Sequence, residues 1–371
     1  MKPGEDPVTG IPQFGEGGRL VEDQRFYLEE VKLANRNRGM PLEGLRYDVT
    51  PTGMHYLLVH FDIPALDAEA WRLEIGGRVA RPGLLTLADI RDLPAVTRTV
   101  TMECAGNGRA LLNPRYLSQP WFAEAIGTAQ WTGVPLHSVL DRAGIDDSAC
   151  EVLFTGCDRG MQGGVLHDYQ RSLTLTDALR DEVLLVYAMN GRPLEPQHGY
   201  PLRLLVPSWY GMTSVKWLAR IEAIAKPFHG YQMDHAYRVR QSPDEPGDPV
   251  TRIRVRALMV PPGVPDWMTR IRLLTAGHVV IEGRAWAGEH RVDCVELSTD
   301  DGHTWERAKV EPAPEPFCWQ SWSWPWAAVP GRYRLRVRAT DSAGNRQPDE
   351  SDWNYEGMAN NECQAVEVIV T

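Results

Sequence analysis

The 371-residue chain has no excess of positive charge: 39 Lys and Arg stand against 49 Asp and Glu, for a net charge of −10. Without a basic footprint, nucleic acid is disfavoured as the main partner. Any site for an anion must therefore gather its own arginines. Long apolar runs are also missing. No stretch of about 18 apolar residues occurs, so nothing reads as a membrane-spanning helix. Residues 1–6 show neither an apolar stretch nor a twin-arginine pair, and a cytoplasmic protein is the expectation. Paired cysteines are the third absence. Cys104, Cys150, Cys157, Cys294, Cys318 and Cys363 include no Cys-x-x-Cys, so zinc ribbons, thioredoxin chemistry and c-type haem attachment lack support. Free thiols are expected in a chain of this length kept in a reducing compartment.

What is present suits a two-domain globular protein, with 43% hydrophobic and 24% charged residues. Residues 1–45 are rich in Gly, Pro and charge and read as a loosely ordered arm with a helical patch near 25–35. Over 46–240, β-branched runs at 55–61, 71–76, 97–102, 151–155, 183–188 and 203–206 predict strands. Short helices are predicted at 87–92, 136–143 and 175–179. Clean βαβ repeats are missing, so the class is α+β. A polar stretch at 228–250, with Pro243, Pro246 and Pro249, reads as a linker. Residues 241–371 are nearly all strand and turn, with alternation at 279–286, 292–298, 305–310 and 333–340. Asp300-Asp301-Gly302 supplies a hairpin signal. This pattern predicts an all-β, immunoglobulin-like sandwich. Trp322, Trp324 and Trp326 share one strand face, either as core or as a subunit interface.

One segment carries chemistry. The predicted strand at 97–102 runs into Glu103-Cys104-Ala105-Gly106-Asn107-Gly108-Arg109. Small residues after the cysteine let backbone N–H groups approach a ligand, and Arg109 would favour a thiolate. A lone cysteine is more often a small buried hydrophobe.

The loop from Cys104 to Arg109 closely resembles the metal-ligand loop of the sulfite oxidase family, which usually reads Cys-Ala-Gly-Asn-Arg-Arg. Further stretches resemble that family in order: Pro120-Trp121, Ile126 through Val134, Tyr187 through Gly191, His198 through Arg203, and Val215 through Leu218. In the second domain, Gly283 through Gly288, Ser298 through Trp305 and Trp353 through Gly357 are similar to its dimerisation domain. The resemblance spans about residues 50–370. It implies a molybdopterin-binding α+β domain followed by an immunoglobulin-like dimerisation domain, hence a homodimer. It implies Cys104 as thiolate ligand to molybdenum, with His60, Asp158, His198, Arg203, Ser214 and Lys216 holding the molybdopterin and its phosphate. Arg109 and Trp121 match substrate-pocket residues, and Tyr237 is the candidate active-site tyrosine, with Tyr231 as rival.

The implied activity is two-electron oxygen-atom transfer, with sulfite oxidised to sulfate. No haem motif is present, so electrons would pass to a separate acceptor or to oxygen. Three positions depart from the family pattern. Leu58 and Glu356 stand where arginines are usual, and Gly108 replaces the first of the paired arginines. These favour an alternative: a family member acting on another sulfur compound, sulfoxide or oxyanion, in either direction. An alternative from another class is a non-catalytic binding protein built on the immunoglobulin-like module.

Overall fold

The computed structural model describes residues 19–22 and 25–371. The arm expected over residues 1–18 lies outside the described residues. The rest of the arm is not loose. Helix Leu28–Arg36 forms where the helical patch was predicted. Its buried Glu30 takes a two-pronged ion pair from Arg115, at 2.6 and 2.9 Å, which ties the helix to the body.

The first domain is built on two five-stranded sheets. In one, Val96–Glu103 pairs antiparallel with Ile126–Pro135, which pairs with Leu184–Met189, flanked by Arg192–Pro193 and Arg203–Leu205. The other runs Gly83–Leu85, Leu73–Gly77, Leu218–Ile224, Glu151–Gln162, Val165–Thr174. Helix Leu136–Ala143 covers the core because Leu136, Val139, Leu140 and Ala143 recur on one face, and all four are buried. Gly144, at φ +70°, ends it in the left-handed region that glycine adopts without strain. Helix Leu87–Arg91 starts at a capping box between Thr86 and Asp89.

Two expectations fail here. Residues 55–61 do not form a strand. Only an isolated bridge, Arg38 to Leu57, pairs them, because their backbone groups serve other partners. Val59 N–H donates to Asn37 Oδ1 at 2.8 Å, and Leu58 O accepts from Lys216 Nζ at 2.8 Å. The segment is a cavity wall instead. Nor is 228–250 a free linker. It holds the short helix Tyr231–Asp234 and packs Gln232 and Tyr237 into the interior.

The second domain is the expected sandwich, a four-stranded sheet against a six-stranded one. Trp322, Trp324 and Trp326 alternate inward along Gln320–Ala328 and are buried between the sheets. The stripe is core, and it does not supply the subunit interface that was its other reading. Asp301 and Gly302 both take positive φ, as a tight hairpin turn requires.

Candidate active site

Two cavities meet at Cys104. One, of about 630 Å³, is walled by His55, His60, Asp158, His198, Arg203 and Lys216 among others. The second, of about 1110 Å³, is walled by Arg109, Tyr116, Gln119, Trp121 and Glu356 among others. Leu58, His60, Cys104 and Tyr237 line both.

The end of a sheet strand presents the cysteine. Val96–Glu103 stops at Glu103, and Cys104 N–H donates to Ala125 O at 2.9 Å. Glu103 is 1% exposed and fixes the strand end. Its Oε1 accepts from Arg256 Nη1 at 2.8 Å and Asn107 Nδ2 at 2.9 Å, and its Oε2 from Trp286 Nε1 at 2.8 Å. Arg256 and Trp286 belong to the sandwich. The loop is held further by Ala359 N–H to Ala105 O at 2.6 Å and by Asn360 Nδ2 to Gly108 O at 2.9 Å. Gly108 has φ +91°, and a Cβ there would lie 2.9 Å from Asn360 Nδ2. A side chain at this position would be strained by the positive φ and would push the Asn360 side chain aside, which favours glycine here.

Burial raises the pKa of the Cys104 thiol, while the Gly106 amide, Arg109 and Trp121 act in favour of the thiolate. A soft metal would replace the proton and remove that penalty. Among the described residues no group of three or more His, Cys, Asp or Glu is placed to hold a metal ion. A metal at Cys104 must take most of its ligands from a cofactor.

The smaller cavity has the donor set for an anionic, hydrogen-bonding group. Arg203 donates to His198 O and Ser214 O, both at 3.1 Å, with its guanidinium over Trp131. Lys216 donates to Leu58 O and Gln197 O, and burial lowers its pKa to about 7. Ser214 Oγ accepts from Val206 N–H at 3.0 Å, which leaves its hydroxyl proton available. Asp158 Oδ1, His198 Nε2 and His55 Nε2 are buried without a well-formed hydrogen bond. Burial raises Asp158 to about 6 and lowers His60 to about 3 and His198 to about 2. Such orphaned polar atoms cost free energy unless a ligand satisfies them.

In the larger cavity Arg109 folds back over Gly106, where a Cβ would meet the guanidinium at 2.8–2.9 Å. Arg109 donates to Glu356 O at 2.7 Å, Gln119 O at 3.4 Å and Met358 Sδ at 3.5 Å. Trp121, 4% exposed, lies against the Cys104 sulfur. Tyr237 OH and His60 Nε2 are 2.5 Å apart. Tyr231, the rival, sits further out, stacked on His167 and facing Gly163. Glu356 does not pair with Arg109 through its carboxylate. Oε1 binds Arg240 at 2.7 Å instead.

The structure thus gathers the nine other expected residues around Cys104. Sequence reasoning missed His55, Glu103, Arg240, Arg256, Asn360 and Arg171, whose guanidinium lies over the Tyr237 ring. Arg171 had a signal: Tyr169, Arg171 and Leu173 alternate inward on one strand, and a charged residue in that row is unusual.

The family described as "Oxidoreductase molybdopterin binding domain" matches residues 60–232, and "Mo-co oxidoreductase dimerisation domain" matches 252–371. Mitochondrial sulfite oxidase of Rattus norvegicus is 32% identical over 87% of the chain. The chain belongs to the sulfite oxidase family of molybdopterin oxidoreductases. It is also 32% identical, over 84% of its length, to a nitrate reductase [NAD(P)H] of Hordeum vulgare. The chain spans 62% of the length of the rat protein and 38% of the barley one. The sulfane dehydrogenase SoxCD of Paracoccus pantotrophus shares the fold, with a TM-score of 0.77 at 24% identity, covering 97% of this chain and 95% of that one. The family's cofactor fits the residues present. Its phosphate suits Arg203, Lys216 and Ser214, its polar edges suit the orphaned atoms of His55, Asp158 and His198, and its metal suits the Cys104 sulfur.

Proposed function

We propose that the protein oxidises a sulfur compound by two-electron oxygen-atom transfer at a molybdenum cofactor anchored by Cys104, and hands the electrons to a separate acceptor or to oxygen. The observation that carries this reading is the position of Cys104 at the junction of two cavities. One is furnished for an anionic cofactor, and the other is lined by Arg109, Trp121 and Tyr237. When bound, the cofactor supplies the oxygen-atom transfer and the two-electron capacity. The protein's own residues do the rest. Arg109 is held by neutral acceptors and keeps its charge for an anionic or polarised substrate oxygen. Trp121 closes the thiolate side to water. The Tyr237–His60 contact holds a proton at the boundary of the two cavities. His60 is neutral there, because burial lowers its pKa to about 3, and its tautomer sets which of the two groups donates.

Sulfite is the first substrate to test, given the sulfite oxidase relatives. A different sulfur compound is the second reading, favoured by Leu58, which faces both cavities without charge, and by Glu356. We also propose a homodimer through the second domain, which matches a dimerisation domain. The test is a substrate panel on molybdenum-loaded protein with an artificial electron acceptor, beside metal analysis. Protein purified with no molybdenum under conditions that load a known family member would overturn the reading.

A further inference from the structure

The larger cavity is poorly suited to a small dianion. Leu58 replaces one cation at its inner end. Opposite Arg109 stands the Glu356 side chain, 5% exposed, whose Oε1 is taken by Arg240. Its Oε2 is buried without a well-formed hydrogen bond, with the Arg238 backbone N–H alongside. A buried carboxylate oxygen left short of donors is expensive and would repel a second anion. It would also welcome an N–H donor. The remaining walls are aromatic, amide and thioether groups, including Tyr116, Gln162 and Met358, which suit an organic body.

We propose that this cavity takes an organic sulfur compound bearing an ammonium or similar N–H donor, with Glu356 as the residue that selects it. The donor meets the Glu356 carboxyl where it lines the cavity, Arg109 faces the oxygen that the sulfur gains, and the sulfur faces the centre at Cys104. This rests on the oxidative reading above. For a thioether the balance is R–S–R′ + H₂O → R–S(O)–R′ + 2 e⁻ + 2 H⁺. One S–O bond forms, both O–H bonds of water break, the electrons go to the oxidised acceptor, and the protons go to solvent.

The experiment compares two matched thioethers on molybdenum-loaded protein, methionine methyl ester as the cation and 3-(methylthio)propionate as the anion. Sulfite is the third probe. Calorimetry measures binding, and turnover is followed with an artificial acceptor. The ester should bind at least about 10-fold more tightly than the anion. Glu356→Gln should shrink that preference by about 10- to 100-fold, the worth of a charge-assisted contact. Leu58→Arg should move it toward the anion, and the wild-type preference is readable whether or not either variant folds. Equal or tighter binding of the anion or of sulfite, no thioether binding, or a ratio that Glu356→Gln leaves unchanged would each overturn the proposal. Efficient sulfite turnover with no ester preference would sink this inference and leave the oxidative reading standing. Ester-selective binding without any oxidation would do the reverse.

Discussion

Arg256→Met removes the guanidinium that faces Glu103 while keeping much of the side-chain volume. Both side chains of this pair are 1% exposed, and the separation is 2.8 Å. After the change the Glu103 carboxylate keeps two neutral donors, Asn107 Nδ2 and Trp286 Nε1, but no positive charge. Breaking a buried pair from one side costs about 3–5 kcal/mol, since a charge is left uncompensated. At about 2–4 °C per kcal/mol for a domain of 150–250 residues, the unfolding temperature should fall by roughly 6–20 °C. Glu103 adjoins Cys104, so molybdenum content should fall as well. The double variant Glu103→Gln, Arg256→Met removes both charges and should recover most of the lost stability. Calorimetry and metal analysis of the three variants, with Glu103→Gln as the third, read both effects. An Arg256→Met protein that melts within about 2 °C of wild type, with full molybdenum, would refute the claim that this pair fixes the loop.

Cys104→Ser should abolish turnover while leaving the unfolding temperature nearly unchanged, because a hydroxyl is a poor substitute for a soft thiolate; retained activity would sink the ligand assignment. Arg109→Gln should lower kcat/KM for an oxyanion by about 10- to 100-fold, and an unchanged value would mean that other groups hold the anion. Burial lowers the pKa values of His55, His60 and His198 to about 4, 3 and 2. The unfolded chain therefore takes up protons first, and the stability present above pH ~6.5 is lost as pH falls toward those values, by about 1.4 kcal/mol per unit per group. Cofactor-free protein should melt markedly lower at pH 5 than at pH 7, and a flat profile would contradict the buried neutral histidines. Sedimentation at micromolar protein should show a dimer, and monomer alone would defeat the assembly proposed for the second domain.

Periodic elements were legible because one residue in two or four reports its own burial. Helix Leu136–Ala143 and the Trp322, Trp324, Trp326 stripe are examples, and the chemistry of Asp301-Gly302 announces its turn. Cys104 and its nine companions were legible as a site only through family resemblance, since spacing alone leaves a cysteine and an arginine. Residues 55–61 look like a strand because they are apolar, yet their backbone serves Asn37 and Lys216. The polar composition of 228–250 conceals Tyr237, whose burial depends on partners more than 60 residues away. Glu103 and Arg256 lie 153 residues apart, and no local pattern marks two charges that neutralise each other in the interior.

The second domain is part of the active site as well as an attachment to it. Its segment 354–360 sets the Arg109 guanidinium through Glu356 O and packs Gly357 on the Arg109 chain, where a Cβ would lie 2.8 Å away. It also grips the cysteine loop through Ala359 and Asn360. Backbone and amide groups do the gripping, whereas Glu356 turns its carboxylate to Arg240 and the larger cavity. The residue at 356 can therefore change its charge while the segment continues to hold Cys104 and Arg109 in place. On the proposed reading, substrate charge preference and metal anchoring rest on different groups of this segment. On that same reading, an arginine or a glutamate at 356 would tune which sulfur compound enters while the loop that carries Cys104 stays in place.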